Sequence, residues 1–235
     1  MVQKRILDLQ TQWLSGSALA FEAARAFHVS QTDQEYAAWS RVATALAKYQ
    51  TAEQAVWCTR KALELVGGNG YTEEYPVARL FRDAQVLTVW EGPEQIQALE
   101  LMRMLTLEKG GKAYLDRLSA IAAMLPEDMK SEMEHMNMLA GEMQSALHEL
   151  WQNPGASSKF ADEYLHQMAN VLAYALMCEE GAWEMENCHD AEKVLFAGRF
   201  YEKTFVNSLR PGAVEPLLQR EFGRVAAGQG FEPSM

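Results

Sequence analysis

Residues 32–66 carry neither proline nor glycine, and the run stops at Gly67-Gly68. A stretch of that length without a breaker fits a helix and not a strand, because strands seldom exceed ~10 residues. The same texture recurs upstream. Apolar or small residues fall at Val2, Ile6, Leu9, Trp13, Gly16, Ala20, Ala24 and Phe27, a three-and-four spacing that draws one stripe along a first helix. Thr32 with Glu35 three residues later reads as a capping box that opens the second. Gly67, Gly68, Asn69 and Gly70 then make a turn, and Pro76 starts a short helix. Residues 86–90 fit an extended segment. Pro93 opens a helix that runs to about residue 109 and is ended by Gly110-Gly111.

The rest reads as helical throughout. Helices are expected over about 113–125, 126–151 and 190–206, with another starting from a Ser157 or Ser158 cap. The second of these carries the stripe Met129, Met133, Met136, Ala140, Met143, Leu147 and Leu150, which suits core packing by an adaptable side chain. The helix after Ser158 carries Phe160, Tyr164, Met168, Val171, Ala175 and Cys178. Pro211-Gly212 breaks the last helix, and the tail from Gly228 reads as frayed. No stretch has strand period. The expected fold is all-α: a helical bundle over residues 1–110, followed by a second helical module over 111–235.

Composition narrows the function. The 235 residues hold 21 Lys and Arg against 32 Asp and Glu, a net charge of −11. That argues against a coat for nucleic acid, which needs clustered cations. No apolar run is long enough for a membrane span. Three scattered cysteines with no C-x-x-C pair suit a reducing, cytoplasmic setting and not a disulfide framework.

Two patterns invite a chemical reading. Glu132/His135 and Glu163/His166 are paired Glu-x-x-His motifs, half of a carboxylate-bridged di-metal site if they faced a bundle interior. At 100° per residue they lie off the apolar stripes of their helices, so the sequence assigns no metal to them. The second pattern is the stretch from Gly67 to Gln97, GGNGYTEEYPVARLFRDAQVLTVWEGPEQIQ. Its glycines leave backbone N–H groups open to an anion. Its Glu91, between Trp90 and Gly92 before a helix start, has the setting of a general base, and equally of a carboxylate favoured by the helix dipole alone.

The order G-G-N-G-Y, E-Y-P-V-x-R-L-x-R-D-A, aromatic-E-G and x-x-Q-I-Q resembles the C-terminal helical domain of the acyl-CoA dehydrogenase family. The helices before it resemble the long pair that precedes this motif, so the likeness covers about the first half of the chain. The resemblance implies an FAD enzyme that desaturates an acyl-CoA thioester between its α and β carbons. Glu91 would be the base that takes the α-proton while the β-hydrogen leaves as hydride to the flavin. Gly92 would lie against the substrate, and Glu64, Gly67, Gly68, Pro93, Glu94 and Gln95 would lie near FAD. Some of those contacts would cross subunits, implying a homo-oligomer (a dimer or tetramer), with an electron-transfer acceptor as a further partner. Arg79 and Arg82 are expected to form ion pairs on the short helix.

The chain departs from the family pattern in three ways. Pro93 stands where Thr is usual, removing a hydroxyl and an N–H. Glu64 stands where Gln is common, a carboxylate that would repel a pyrophosphate. The domains that precede these helices in the family are absent from this sequence, so the chain is expected to be the C-terminal part of a larger or split flavoenzyme. The competing reading is a catalytically silent helical interaction module. The second half, from about Gly111, is extra relative to short members, as in long members with helical extensions, and Phe160 to Phe205 resembles the extension of methylmercaptopropionyl-CoA dehydrogenase.

Overall fold

Helix α1 (Val2–Ser30) and helix α2 (Ala37–Val66) lie antiparallel along one another, each about 45 Å long at 1.5 Å per residue. Contacts between Glu22 and Trp39, Ser15 and Gln54, and Arg5 and Trp57 fix the register of the pair. A computed structural model supplies these coordinates and describes residues 1–107 and 109–206, without the side chains of residues 156–158. No strand is present among the described residues. The turn into α2 is capped by Asp33, whose side chain accepts from the Glu35 amide at 2.9 Å. Thr32 instead donates to the Val29 carbonyl, so the expected Thr32–Glu35 capping box does not form.

After α2 come a tight turn (Gly67–Tyr71), α3 (Pro76–Leu87), α4 (Glu94–Leu107), α5 (Gly110–Met124), α6 (Lys130–Gln152), the short α7 (Pro154–Ser157), α8 (Ala161–Cys188) and α9 (Glu192–Thr204). Residues 86–90 are not extended. They finish α3 and continue into a turn, with the Val89 and Trp90 amides both donating to the Val86 carbonyl. Gly110 and Gly111 do not end α4 but begin α5. Their reason is closeness: a Cβ on Gly110 would meet Val42 Cγ2 at 2.8 Å, and one on Gly111 would meet Trp151 at 2.8 Å. The Ser157 or Ser158 cap, the Pro211-Gly212 break and the tail lie outside the described side chains and residues.

The core is organised around α8. Residues 168–178 are buried on every side, because α1, α2, α4, α5, α6 and α9 all pack against this helix. The run explains it: Asn170 is the one amide among apolar and aromatic neighbours, and its oxygen accepts from Gln50 Nε2 at 3.1 Å. Tyr114 reaches in from α5 and donates to the Met168 carbonyl at 3.0 Å. The methionine stripe packs inward as its spacing predicts: Met136 and Met143 of α6, and Met129 just before it, are under a tenth exposed, and Met133 is half-buried.

Helix α1 reverses expectation. Trp13 is 65% exposed, and Val2 and Phe27 are about as open. Of the expected stripe only Gly16 is buried, and the buried face otherwise carries Leu7, Asp8, Thr11, Ser15, Ala18, Leu19, Glu22 and Ala26. A buried carboxylate is tolerable only when paired. Asp8 is paired with Arg199 at 2.6 Å and with Lys203, both on α9. Glu22 accepts from Trp39 Nε1 at 2.8 Å, from Arg25, and from both ends of the Arg117 guanidinium at 3.0 Å. Arg117 also reaches Glu179 on α8 at 2.9 Å. Burial pushes the Glu22 carboxyl up, but the Arg25 and Arg117 bonds outweigh it and hold the group below the ordinary carboxylate range. The apolar stripe of α1 is thus its outward face, bordering an uncharged groove of about 540 Å³ floored by Gly16, Ala20, Ala55 and Ala62.

Candidate functional site

Glu91 is one of three non-glycine residues with positive φ among the described residues, at φ 57°. A left-handed conformation costs a residue bearing a Cβ about 1–3 kcal/mol and persists only where the surroundings hold it. Two side chains do so here. Gln97 Nε2, from the first turns of α4, donates to the Glu91 carbonyl at 3.0 Å. Lys48, from the middle of α2, donates to the Gly92 carbonyl at 2.7 Å and the Leu87 carbonyl at 3.1 Å. Gly92 follows at φ 97°, where a Cβ would also meet Gln97 Nε2 at 2.6 Å. Pro93 accepts from the Ile96 and Gln97 amides and so starts α4. Glu91, Pro93, Glu94 and Gln95 are exposed, as is Trp90.

The loop is thus a clamped, strained segment whose carboxylate is presented outward. Sequence reasoning missed both clamps. Gln97 sits in the x-x-Q-I-Q motif but bears no mark of a bond to a backbone carbonyl. Lys48 lies 44 residues before Gly92 in an ordinary amphipathic helix. Glu94 stands near the Tyr49 phenol. Burial first, and then the Glu94 and Glu53 carboxylates, push that phenol well above its ordinary range, so Tyr49 stays protonated. Its oxygen is 3.2 Å from His166 Nδ1.

The glycine turn is a second group of expected site residues. Gly67 has φ 73° and ψ −147°, a combination that is essentially glycine's alone. A Cβ on Gly67 or Gly68 would meet nothing within 4 Å, so the backbone here is bare and open to a partner. Gly70 is different: a Cβ there would sit 2.7 Å from the Leu63 carbonyl, so glycine lets the turn fold back onto α2. Glu64 is held by Arg60 at 2.9 Å and Lys61 at 2.7 Å. The Lys61 bond leads in holding its carboxyl below the ordinary range. Its charge is therefore matched locally, which blunts the repulsion expected toward a pyrophosphate.

The two groups are not brought together. Lys48 and Gly67 are 19 residues apart on α2, about 28 Å along its axis. Helix α3 runs back between them. One compact ligand cannot touch both, whereas an elongated ligand, or one at each end, can. Neither group lines the uncharged groove on α1 and α2 or the larger cleft between α1 and α8. As expected, Arg82 forms an ion pair, bidentate with Glu73 at 2.8 and 2.9 Å, and Arg79 faces Asp83 at 3.9 Å. Of the two Glu-x-x-His motifs, His135 stacks on Tyr201 at 3.8 Å and His166 meets Tyr49. Among the described residues no three His, Cys, Asp or Glu side chains are placed to share a metal ion. No helix of the described residues is long and apolar enough to cross a membrane.

Residues 1–106 match the family model "Acyl-CoA dehydrogenase, C-terminal domain". The putative acyl-CoA dehydrogenase AidB of Escherichia coli is 33% identical over 110 residues, 46% of this chain and 20% of that protein. The mitochondrial short/branched chain specific acyl-CoA dehydrogenase of Bos taurus is 32% identical over 107 residues, 46% of this chain and 23% of that protein. The chain therefore spans about a fifth to a quarter of these relatives. Among solved structures, Caenorhabditis elegans ACDH-11 in complex with C11-CoA superposes on 95% of this chain and 39% of its own, with a TM-score of 0.79 at 20% identity. That likeness concerns the fold, and it extends over the helices beyond residue 106. The methylmercaptopropionyl subtype is not among these findings. Over residues 1–106 this chain is similar to the C-terminal domain of acyl-CoA dehydrogenases.

Proposed function

We propose that this chain is the C-terminal part of an FAD-dependent acyl-CoA dehydrogenase that desaturates an acyl-CoA thioester between its α and β carbons, with Glu91 as the base. The observation that carries the reading is the clamped left-handed backbone of Glu91. Strain held by two separate side chains makes sense where a carboxylate must meet a substrate at a fixed angle. An α-proton of a thioester is weakly acidic, so the base must be placed within hydrogen-bond reach of it, with donors ready for the thioester oxygen. Glu91 would take the proton at its carboxylate. Gly92, with no side chain, would let the substrate approach the loop.

The residues present fit one edge of a flavin site. Gly67 and Gly68 offer bare backbone, and Glu64 is neutralised beside them. Gln95, Glu94 and Pro93 lie at the start of α4 on the other edge. FAD, when bound, would supply the acceptor for the β-hydrogen and its electron pair. Pro93 supplies neither the usual hydroxyl nor an N–H, and its carbonyl already accepts from the Ile96 and Gln97 amides, so it would offer FAD no donor. The wide separation of the two edges agrees with a homo-oligomer in which each touches cofactor in a different subunit. The electrons would pass to a separate acceptor, and the enzyme would work in the cytoplasm. Residues 1–110 would carry the site, and the module from 111 would brace it.

The test is a flavin titration of the 235-residue chain, read by absorbance, beside the product of the whole gene. The whole product should hold FAD and bleach with acyl-CoA, and Glu91→Gln should abolish bleaching while FAD stays bound. If neither protein holds flavin, the enzyme reading fails and a silent interaction module replaces it. Because Glu64, Gly67, Gly68, Pro93, Glu94 and Gln95 are all exposed, the chain alone should bind FAD weakly.

A further inference from the structure

Three large apolar side chains surround the larger cleft, and all three are open: Phe21 of α1 at 74%, Met124 of α5 at 68% and Trp183 of α8 at 60%. Scattered exposed hydrophobics need no explanation, but three around one cavity of about 1080 Å³ do. The cleft lies between α1, the junction of α5 with α6, and the second half of α8. Its floor is the Glu22–Arg117–Glu179 network, already fully paired. Its remaining cations are also committed: Arg25 to Glu22, and Lys193 to Glu180 and Glu184 at 2.9 Å each. Asp128 and Glu186 are not matched in this way. Both are exposed on the lining, with no cation paired to them among the described residues. The cleft thus has apolar lips, a negative edge and no positive charge to spare.

We infer that this cleft is a docking site for a basic amphipathic helix of a partner protein. Charge decides the occupant. A second copy of this chain, at net −11, would bring a like-charged surface to a negative edge. An anionic membrane is repelled for the same reason. An amphipathic helix lays its apolar face in such a groove through anchors at i, i+3, i+4 and i+7. Phe21, Met124 and Trp183 receive those anchors, and Lys or Arg on the flanks of the helix meet Asp128 and Glu186. Arg gains further from the face of Trp183. The uncharged groove on the outer side of α1 and α2 gives no such discrimination.

The test uses the 235-residue chain and a fluorescein-labelled 18-residue amphipathic helix of Leu and Lys, followed by fluorescence anisotropy. A counterpart of Leu and Glu with the same pattern is the control. The Lys peptide should bind with a Kd on the order of micromolar, weakening as salt is raised, and the Glu peptide should not bind. Trp183→Ala should weaken binding at least tenfold, as should Asp128→Lys combined with Glu186→Lys. The double variant should also flatten the salt dependence. Trp13→Ala, on the opposite face, should leave binding unchanged, and circular dichroism should show every variant folded. The inference is overturned if Trp183→Ala binds like the parent, if Trp13→Ala weakens binding as much, or if the Glu peptide binds comparably. It is also overturned if the Lys peptide does not bind.

Discussion

Replacing Lys48 with Met should release the loop that presents Glu91. The ammonium makes two bonds to backbone carbonyls, at 2.7 Å to Gly92 and 3.1 Å to Leu87. Hydrogen bonds to charged groups contribute about 1.5–3 kcal/mol each, and the half-exposed setting of Lys48 argues for a joint contribution near 2 kcal/mol. That is of the same order as the ~1–3 kcal/mol that a left-handed non-glycine residue costs, so Gln97 alone no longer over-determines Glu91. A loss of 2 kcal/mol corresponds to about a 30-fold rise in the open population, since 1.4 kcal/mol is tenfold. Hydrogen exchange reads this directly through the Val89 and Trp90 amides, both bonded to the Val86 carbonyl just before the loop. They should exchange on the order of 10–30 times faster in Lys48→Met, with α1 and α8 unaffected. Unchanged protection at those amides would refute the clamp. An even loss across the whole protein would show that Lys48 supports the bundle and not the loop.

Other expectations concern the buried network and the turn. Arg117→Met leaves Glu22 buried with only Arg25 and Trp39, and should cost about 2–4 kcal/mol, less than a fully orphaned charge. Thermal unfolding by circular dichroism should then fall by roughly 5–12 °C, and in a double-mutant cycle with Glu22→Gln the losses should not add. Because the Glu22 carboxyl titrates below its ordinary value, its contribution is complete above about pH 5 and lost as pH falls through the folded pKa; Glu22→Gln should therefore cost less at pH 3 than at pH 7. Glu192 has the opposite sign. Burial, then Asp190 and Glu184, raise its carboxyl to about 7, so its ionisation costs stability that grows between about pH 4.5 and 7. Glu192→Gln should raise the melting temperature at pH 8 and leave it unchanged at pH 4. Gly70→Ala drives a Cβ to 2.7 Å from the Leu63 carbonyl, and should cost about 1–3 kcal/mol by denaturant unfolding.

Much of the fold could be read in advance because helix period and breakers dominate this sequence. The methionine stripe of α6, the length of α2 and the glycine turn all lie where spacing puts them. Three features could not be read. The stripe of α1 is real but faces outward, because periodicity identifies an apolar face without saying what it packs against; the carboxylates of Asp8 and Glu22 occupy the buried face through partners about 190 and 95 residues away. Residues 86–90 look strand-like by composition, yet the Val86 carbonyl captures their amides. Gly110 and Gly111 look like a helix stop, when their role is the close passage of Val42 and Trp151. At the candidate site, the ordered motif exposed Glu91 and the glycines. The clamps from Lys48 and Gln97 escaped notice because bonds to backbone carbonyls leave no spacing rule in a sequence.

The charged face of α1 also bears on the order of assembly. Glu22 leaves the ribosome long before Glu179, and at about 5–20 residues per second the 157 residues that carry the chain from Glu22 to Glu179 take roughly 8–30 s to make. Throughout that interval α1 has neither α8 nor α9 to cover it. An all-apolar face would spend those seconds as an invitation to aggregate. Asp8 and Glu22, the latter beside Arg25, would stay hydrated until Arg199, Lys203 and Arg117 arrive, so the carboxylates that seal the finished bundle are the groups that would hold the unfinished helix in water.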